Sequence, residues 1–286
     1  AVARVPARGP RRRTLVLMAH HDAAQTGLAW RHPWLGGVGL GAALARLRGA
    51  PPPDSMESFS AGPEAGFALA AAGSLTRRPR LRAAGAALLA APLALALDVA
   101  RSPTVPGASD NATGVAAVLA MVQRFAANPT EGTEVVAVLT GCEESGMGGM
   151  AAWLRSGGAS LDPRTTLVLG LDTLGAGEPV VLRAEGPLRP ERYREADLDW
   201  AGRGAARAGV EPPRRFRIGG WTDPILAVHA GLPTISLLSV RGSMFTNYHQ
   251  PTDTPDRVDW DSVAACLNLA AGIAEAWDDG GPAAPS

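Results

Sequence analysis

The sequence predicts an α/β fold: one catalytic domain over residues 1–286, with an Ala/Gly/Pro-rich helical insertion at about 30–104. Two observations predict it. Compact apolar runs at Thr14–Met18, Val135–Leu139, Leu167–Leu171 and Thr234–Leu238 read as buried strands, and segments with helical spacing lie between them. Several of these runs end in His, Asp or Glu, and open α/β sheets gather their ligands at the carboxyl ends of strands. With 46% hydrophobic and 19% charged residues, the chain can build one large core.

Composition narrows the function. Net charge is zero and the pI about 7.2, so there is no nucleic-acid footprint. Every basic residue is Arg, which with the abundant Ala, Gly and Pro reads as coding bias. Cys142 and Cys266 define neither a disulfide framework nor a Cys-type zinc site, and two free thiols are expected. The chain starts at Ala1 without a signal-peptide layout, and the expectation is a trimmed piece of a longer protein. Secretion or membrane association would follow from such trimming.

Taken in order, residues 1–13 read as a basic, Pro-rich, extended lead-in. The strand Thr14–Met18 runs into Ala19-His20-His21-Asp22. His20 can offer one ring nitrogen to a metal while a nearby carboxylate such as Asp22 accepts the other N–H and fixes the tautomer. In the insertion, Gly36–Leu47 and Ala83–Leu97, the latter with Pro92 inside, predict two helices broken by Pro51-Pro52-Pro53. They are expected to form a hairpin or cap over the domain. Neither run cleanly reaches the roughly 20 apolar residues of a bilayer span. The basic run Arg77–Arg82 reads as a solvated turn, and shallow membrane contact is the less favoured alternative.

Asp110 precedes a helix predicted over Val115–Ala127, where it is either a ligand or a plain N-cap. Asn111-Ala112-Thr113 matches a glycosylation sequon by chance. Glu143 and Glu144 lie between the strand Val135–Leu139 and a helix starting at Met150. Neighbouring turn residues point different ways, so one Glu can bind a metal while the other faces the space beside it. The structural alternative is charge pairing with the helix N-terminus. Asp172 ends the strand Leu167–Leu171. A strand is expected at Val180–Leu182 and a helix at Glu195–Ala208. Thr222-Asp223-Pro224 opens a short helix whose His229 reads as structural, as does His32. A polar loop, Tyr248 to Thr254, precedes the last helix at Asp259–Trp277, and the Gly/Pro-rich tail is expected to be disordered.

His20, Asp110, Glu144, Asp172 and His249 make a set of two imidazoles and three carboxylates, which suits a pair of zinc or similar divalent ions. Two such ions bring four positive charges and three carboxylates remove three. A bridging hydroxide neutralises the remainder, and such a pair also polarises a carbonyl. Glu143, left unliganded, is then the general base and proton donor to a leaving amine. The chemistry fits amide hydrolysis.

These motifs resemble those of the M28 family of zinc aminopeptidases. The matching residues are His20-His21-Asp22, Asp110-Asn111-Ala112-Thr113-Gly114, Glu143-Glu144-Ser145-Gly146, Asp172 and His249 through Thr254. The resemblance covers residues 12–28 and 105–277. It implies a three-layer α/β/α fold with a mostly parallel, doubly wound sheet. It implies that Asp110 bridges two zinc ions, that His20 and Asp172 hold one, and that Glu144 and His249 hold the other. Glu143 would be the base, Tyr248 would stand where some members carry an oxyanion-stabilising tyrosine, and the Asp110–Asn111 peptide would be cis. The expected activity is removal of residues from free peptide N-termini. The alternatives are a glutaminyl cyclase-like acyltransferase, a dipeptidase or carboxypeptidase, or a non-catalytic interaction domain. The chain departs from the family in the long insertion and in Thr222-Asp223-Pro224, which stands where Ser-Asp-His is usual.

Overall fold

A computed structural model describes residues 1–32, 35, 40–51, 53–56, 61–187 and 189–280. The strands are β1 (Val2–Val5), β2 (Arg13–His20), β3 (Ser55–Met56), β4 (Thr133–Thr140), β5 (Thr166–Leu171), β6 (Glu178–Glu185), β7 (Glu191–Arg192), β8 (Arg214–Ile218) and β9 (Thr234–Val240). The helices are α1 (Leu28–Arg31), α2 (Leu40–Leu47), α3 (Ala61–Leu75), α4 (Pro79–Val99), α5 (Thr113–Ala127), α6 (Gly148–Arg155), α7 (Glu195–Ala208), α8 (Pro224–His229) and α9 (Trp260–Asp279).

The strands form one mixed sheet in the order β1-β4-β2-β5-β9-β6-β8-β3, with β7 beside β6. Its centre is parallel: β4, β2, β5 and β9 run the same way. Successive residues of β2 face opposite sides. Leu15, Leu17 and Ala19 belong to the core on the side of α5, α7 and α9, while Val16 and Met18 belong to the core with Met150 and Trp153 of α6 and Ala227 of α8. This is the three-layer arrangement the resemblance implies. It explains why the central strands are continuous apolar runs, since both faces are covered.

Register brings the chemistry together. His20 lies opposite Thr140, and Met18 opposite Gly170. The residues that follow β4 and β5, Gly141–Glu144 and Asp172, therefore emerge at the same edge as His20.

Several expectations need correction. The lead-in holds a strand: β1 pairs antiparallel with β4, and the Ala1 ammonium donates to the Leu139 carbonyl. The sheet also turns antiparallel where β6 meets β9 and β7. β8 has no apolar run because its arginines occupy exposed or half-buried positions, while Phe216 and Ile218 point inward. The insertion supplies more helix than expected, and its hairpin is α3 against α4. The Ala/Gly composition of α3 gives no contrast between faces, which is why its sequence shows no helical stripe. The insertion also gives β3, which extends the sheet beside β8. His229 is exposed at the C-terminal end of α8, where it suits the helix dipole, and it is not packed among apolar neighbours. His32 is exposed as well. Residues 36–39 of the first expected insertion helix, and 281–286 of the tail, lie outside the described residues.

α7 and α9 pack at two glycines. A Cβ on Gly272 would lie 2.2 Å from the Gly204 carbonyl oxygen, and one on Gly204 would lie 2.6 Å from the Ile273 amide nitrogen. Backbone cannot yield there as a side chain could. Gly204→Ala should lower stability by about 1–3 kcal/mol, read as a lower urea midpoint with an unchanged m-value. An unchanged midpoint would mean the helices separate at little cost.

Candidate metal centre

His20 ends β2, and its Nδ1 lies 3.0 Å from the Asp22 main-chain oxygen and 3.6 Å from the Asp22 carboxylate. The main-chain oxygen is thus the closer partner for the ring N–H, a refinement of the expected carboxylate role. That carboxylate instead accepts from the amides of Glu143 and Glu144, at 3.2 and 3.3 Å. One residue therefore ties the loop after β2 to the loop after β4.

Asp110 is placed by a comparable set of ties. The Asp253 carboxylate accepts from the Ser109 and Asp110 amides, at 2.8 and 3.1 Å. The Asn111 side chain donates to the Leu171 carbonyl and accepts from the amides of Gly114 and Thr173. Gly114 is required there, because a Cβ would sit 2.3 Å from both the Asn111 side-chain oxygen and the Leu171 carbonyl. The Asp110–Asn111 peptide is cis. Asn111 is buried and fully used, so its sequon offers no acceptor.

The outcome is a shared carboxylate. One oxygen of Asp110 lies 3.3 Å from His20 Nε2, and the other lies 3.3 Å from His249 Nε2. Asp172 stands 3.8 Å from His20 Nε2, and Glu144 stands 3.3 Å from His249 Nε2. Two ligands each about 2.05 Å from a tetrahedral zinc are about 3.3 Å apart, so the donor spacing fits such an ion on each side of Asp110. The other oxygen of half-buried Glu144 is shielded and has no hydrogen-bond partner among the described residues, which suits a cation there. The donor groups His20–Asp110–Asp172 and Asp110–Glu144–His249 are thus two candidate sites sharing one residue.

Glu143 faces the same space but makes no side-chain hydrogen bond among the described residues. Tyr248 stacks on His249 at 3.9 Å between ring centroids, and Trp30 meets the same histidine edge-on at 4.4 Å. The cleft has a volume of about 250 Å³. Beyond the polar cluster it is walled by Trp30, Met56, Ile218, Trp221, Leu238 and Phe245. The sequence reading missed these walls. Trp30 and Met56 come from the insertion, and only the scarcity of aromatic residues, 5% of the chain, hinted that a tryptophan beside a motif would matter. Asp253 was visible in the motif, but its role as the clamp on Asp110 was not.

The family model described as peptidase family M28 matches residues 96–274. The chain belongs to peptidase family M28. The clustered His, Asp and Glu residues lie within that match except for His20, which reaches the site from β2 across the insertion. No curated protein matches the chain. Among solved structures, LapB from Legionella pneumophila is similar at 14% identity and TM-score 0.53, over 63% of this chain and 49% of that one. The LapA aminopeptidase from Legionella pneumophila is similar at 15% and 0.50, over 62% and 48%. A glutaminyl cyclase from an Acidobacteriales bacterium gives 18% and 0.48, over 61% and 63%. The chain spans less than two thirds of the length of each.

The charges packed into the M28 site shift the proton affinity of each group. Burial opposes charge on His20, yet Asp110, Asp172 and Asp22 raise its pKa far above the ordinary imidazole value. Burial opposes charge on His249 too, but Asp110 and Glu144 raise it to about 9. Burial, then the Asp172 charge, push Glu143 up to about 10, and burial also raises Glu144. Burial works against ionisation of Asp110, but the two histidines hold it well below the usual range. Asp22 sits at about 2, where its contacts with His20 and the Glu143 and Glu144 amides outweigh its burial.

Metal ligation requires neutral imidazoles. With both histidines raised above the ordinary imidazole value, a divalent ion taken up there would displace protons, and its apparent affinity should rise toward pH 9. Zinc titration calorimetry in buffers of different ionisation enthalpy should show this release. The same raised histidine pKa stabilises the metal-free fold below about pH 6.5 and is lost as pH rises through about 9. The chelated protein should therefore melt at lower temperature at pH 9 than at pH 6.5, and zinc should remove that difference. Pure enthalpy of binding with no buffer dependence would contradict the protonated cluster.

Proposed function

We propose that the protein is a two-metal exopeptidase that removes residues from free peptide N-termini. The observation that carries this reading is the Asp110 carboxylate with one oxygen toward each of two histidines, each histidine having its own second carboxylate. Membership of a peptidase family supports it, and so does the fold shared with an aminopeptidase. In this reading Asp110 would be shared between two zinc ions, with His20 and Asp172 able to hold one and Glu144 and His249 the other. Cobalt or manganese suits the same donors.

Divalent metal in these positions supplies the Lewis acidity that polarises a peptide carbonyl and acidifies an attacking water. The chain's own groups do the rest. Glu143 takes a proton from that water and gives it to the leaving amine. Burial and the neighbouring Asp172 charge raise the pKa of Glu143, and divalent ions held by the cluster would offset that charge and favour the ionised form that a base needs. The Tyr248 hydroxyl, which makes no hydrogen bond among the described residues, can donate to the carbonyl oxygen as charge develops there. The hydrocarbon walls of the cleft suit a bulky apolar side chain on the substrate's first residue, and the carboxylate-rich floor suits its ammonium group.

Glu143→Gln should lower kcat on a leucyl anilide about 10²–10⁴-fold while elemental analysis still finds two metal ions per chain. Retention of most activity would remove Glu143 from the mechanism. One ion per chain, with cyclisation of N-terminal Gln, would favour the cyclase alternative. Trp30→Ala should lower kcat/KM for leucyl substrates about 10-fold at unchanged metal content. Equal loss on alanyl substrates would mean that Trp30 orders His249 and does not select the side chain.

A further inference from the structure

The α3–α4 hairpin is apolar on the sides it shows to solvent. Phe67, Leu75, Leu88, Leu93 and Leu97 are between 44% and 86% exposed, and neither helix contributes to the two core clusters. No charge interrupts Ala65–Thr76 or Ala83–Leu97. The helices meet through small residues. A Cβ on Gly85 would lie 2.4 Å from the Ala70 amide nitrogen, and one on Gly73 would lie 2.4 Å from the Arg82 amide nitrogen. Close backbone approach of this kind is how helices pack where no hydrophobic effect drives them together. It turns Gly66, Gly73 and Gly85 inward and leaves the larger apolar side chains outside.

The hairpin's tip carries Arg77, Arg78, Arg80 and Arg82, and none of the four pairs with a carboxylate among the described residues. A helix that is apolar all round is normally buried on all sides. A second copy of the chain would cover one face of α4 and leave the others wet. Lipid covers them all, and unpaired arginines at the end of the apolar surface match anionic headgroups.

We infer that the α3–α4 hairpin seats the protein in the interfacial region of an anionic lipid bilayer. α4 has the length and composition to cross a membrane. Its uncharged part, however, covers only about 22 Å, and that of α3 about 18 Å, at 1.5 Å per residue. Both fall short of the roughly 30 Å hydrocarbon core, so the hairpin embeds without spanning. Its base connects to the cleft. The Asp98 carboxylate at the end of α4 accepts from the Leu28 amide at the start of α1, and α1 carries Trp30 against His249. The membrane seat and one wall of the cleft are thus a single piece of structure.

The test is flotation of the whole chain with vesicles of phosphatidylcholine alone and with about 30% phosphatidylglycerol. The protein should float with the anionic vesicles. The F67S/L93S variant should lose binding at least 10-fold on both vesicle types. The R77S/R78S/R80S/R82S variant should lose the preference for phosphatidylglycerol. Circular dichroism and zinc content should match the parent for both variants, because the changed side chains lie outside the core and the metal cluster. Absence of the parent from the floating fraction on both vesicle types overturns the inference. So does a lipid-free dimer that L93S dissociates without any change in flotation, since that result assigns the face to a second copy.

Discussion

The arrangement depends on one buried carboxylate shared by two histidines. Asp110 meets His20 with one oxygen and His249 with the other. A carboxylate can do this only if its backbone is held from several directions, because its side chain has two rotatable bonds and strong neighbouring charges. The ties are Asp253 on its own amide and on that of Ser109, and Asn111 bound to the end of β5. Gly114 is then a matter of space, since any side chain there would displace Asn111. A residue that looks like a helix cap in sequence is thereby the centre of the molecule's electrostatics.

The sheet makes that sharing possible. Parallel strands β4, β2 and β5 deliver their carboxyl ends to one edge, so residues more than a hundred positions apart arrive within a few ångströms. The local cost is crowding of like charges. Glu143, Glu144, Asp110 and Asp172 share a low-dielectric cleft, where burial and the Asp172 charge push Glu143 up and the carboxylates raise the pKa of both histidines. Such a cluster is poor as a source of stability and well suited to holding multivalent cations.

The insertion is the chief departure within this M28 chain. It adds a strand at the far edge of the sheet, two cleft-wall residues in Trp30 and Met56, and a helical hairpin whose apolar surface the core does not use. These features share one origin in the chain, between β2 and Asp110. The Leu28 amide donates to Asp98 at the end of the hairpin, and the same short helix carries Trp30 against His249.

The sequence by itself determined the strands of the sheet's centre, the helices α5, α7 and α9, and every residue of the candidate metal cluster. Those strands are covered on both faces, so their apolar runs are continuous, and the metal-type residues stand at the ends of such runs. Tertiary structure alone decided which groups meet. Asp22 binds the Glu143 and Glu144 amides with its carboxylate and leaves its main-chain oxygen to His20, a choice set by loop geometry that no spacing encodes. β1, β3 and β8 escaped notice because β1 and β3 are short edge strands that take their pairing from neighbours far away in the chain, and β8 sets arginines around its two inward residues, Phe216 and Ile218. Trp30 looked like part of an insertion and became a wall of the cleft for the same reason: contact across long sequence separations is fixed by packing, and packing leaves no local pattern to read.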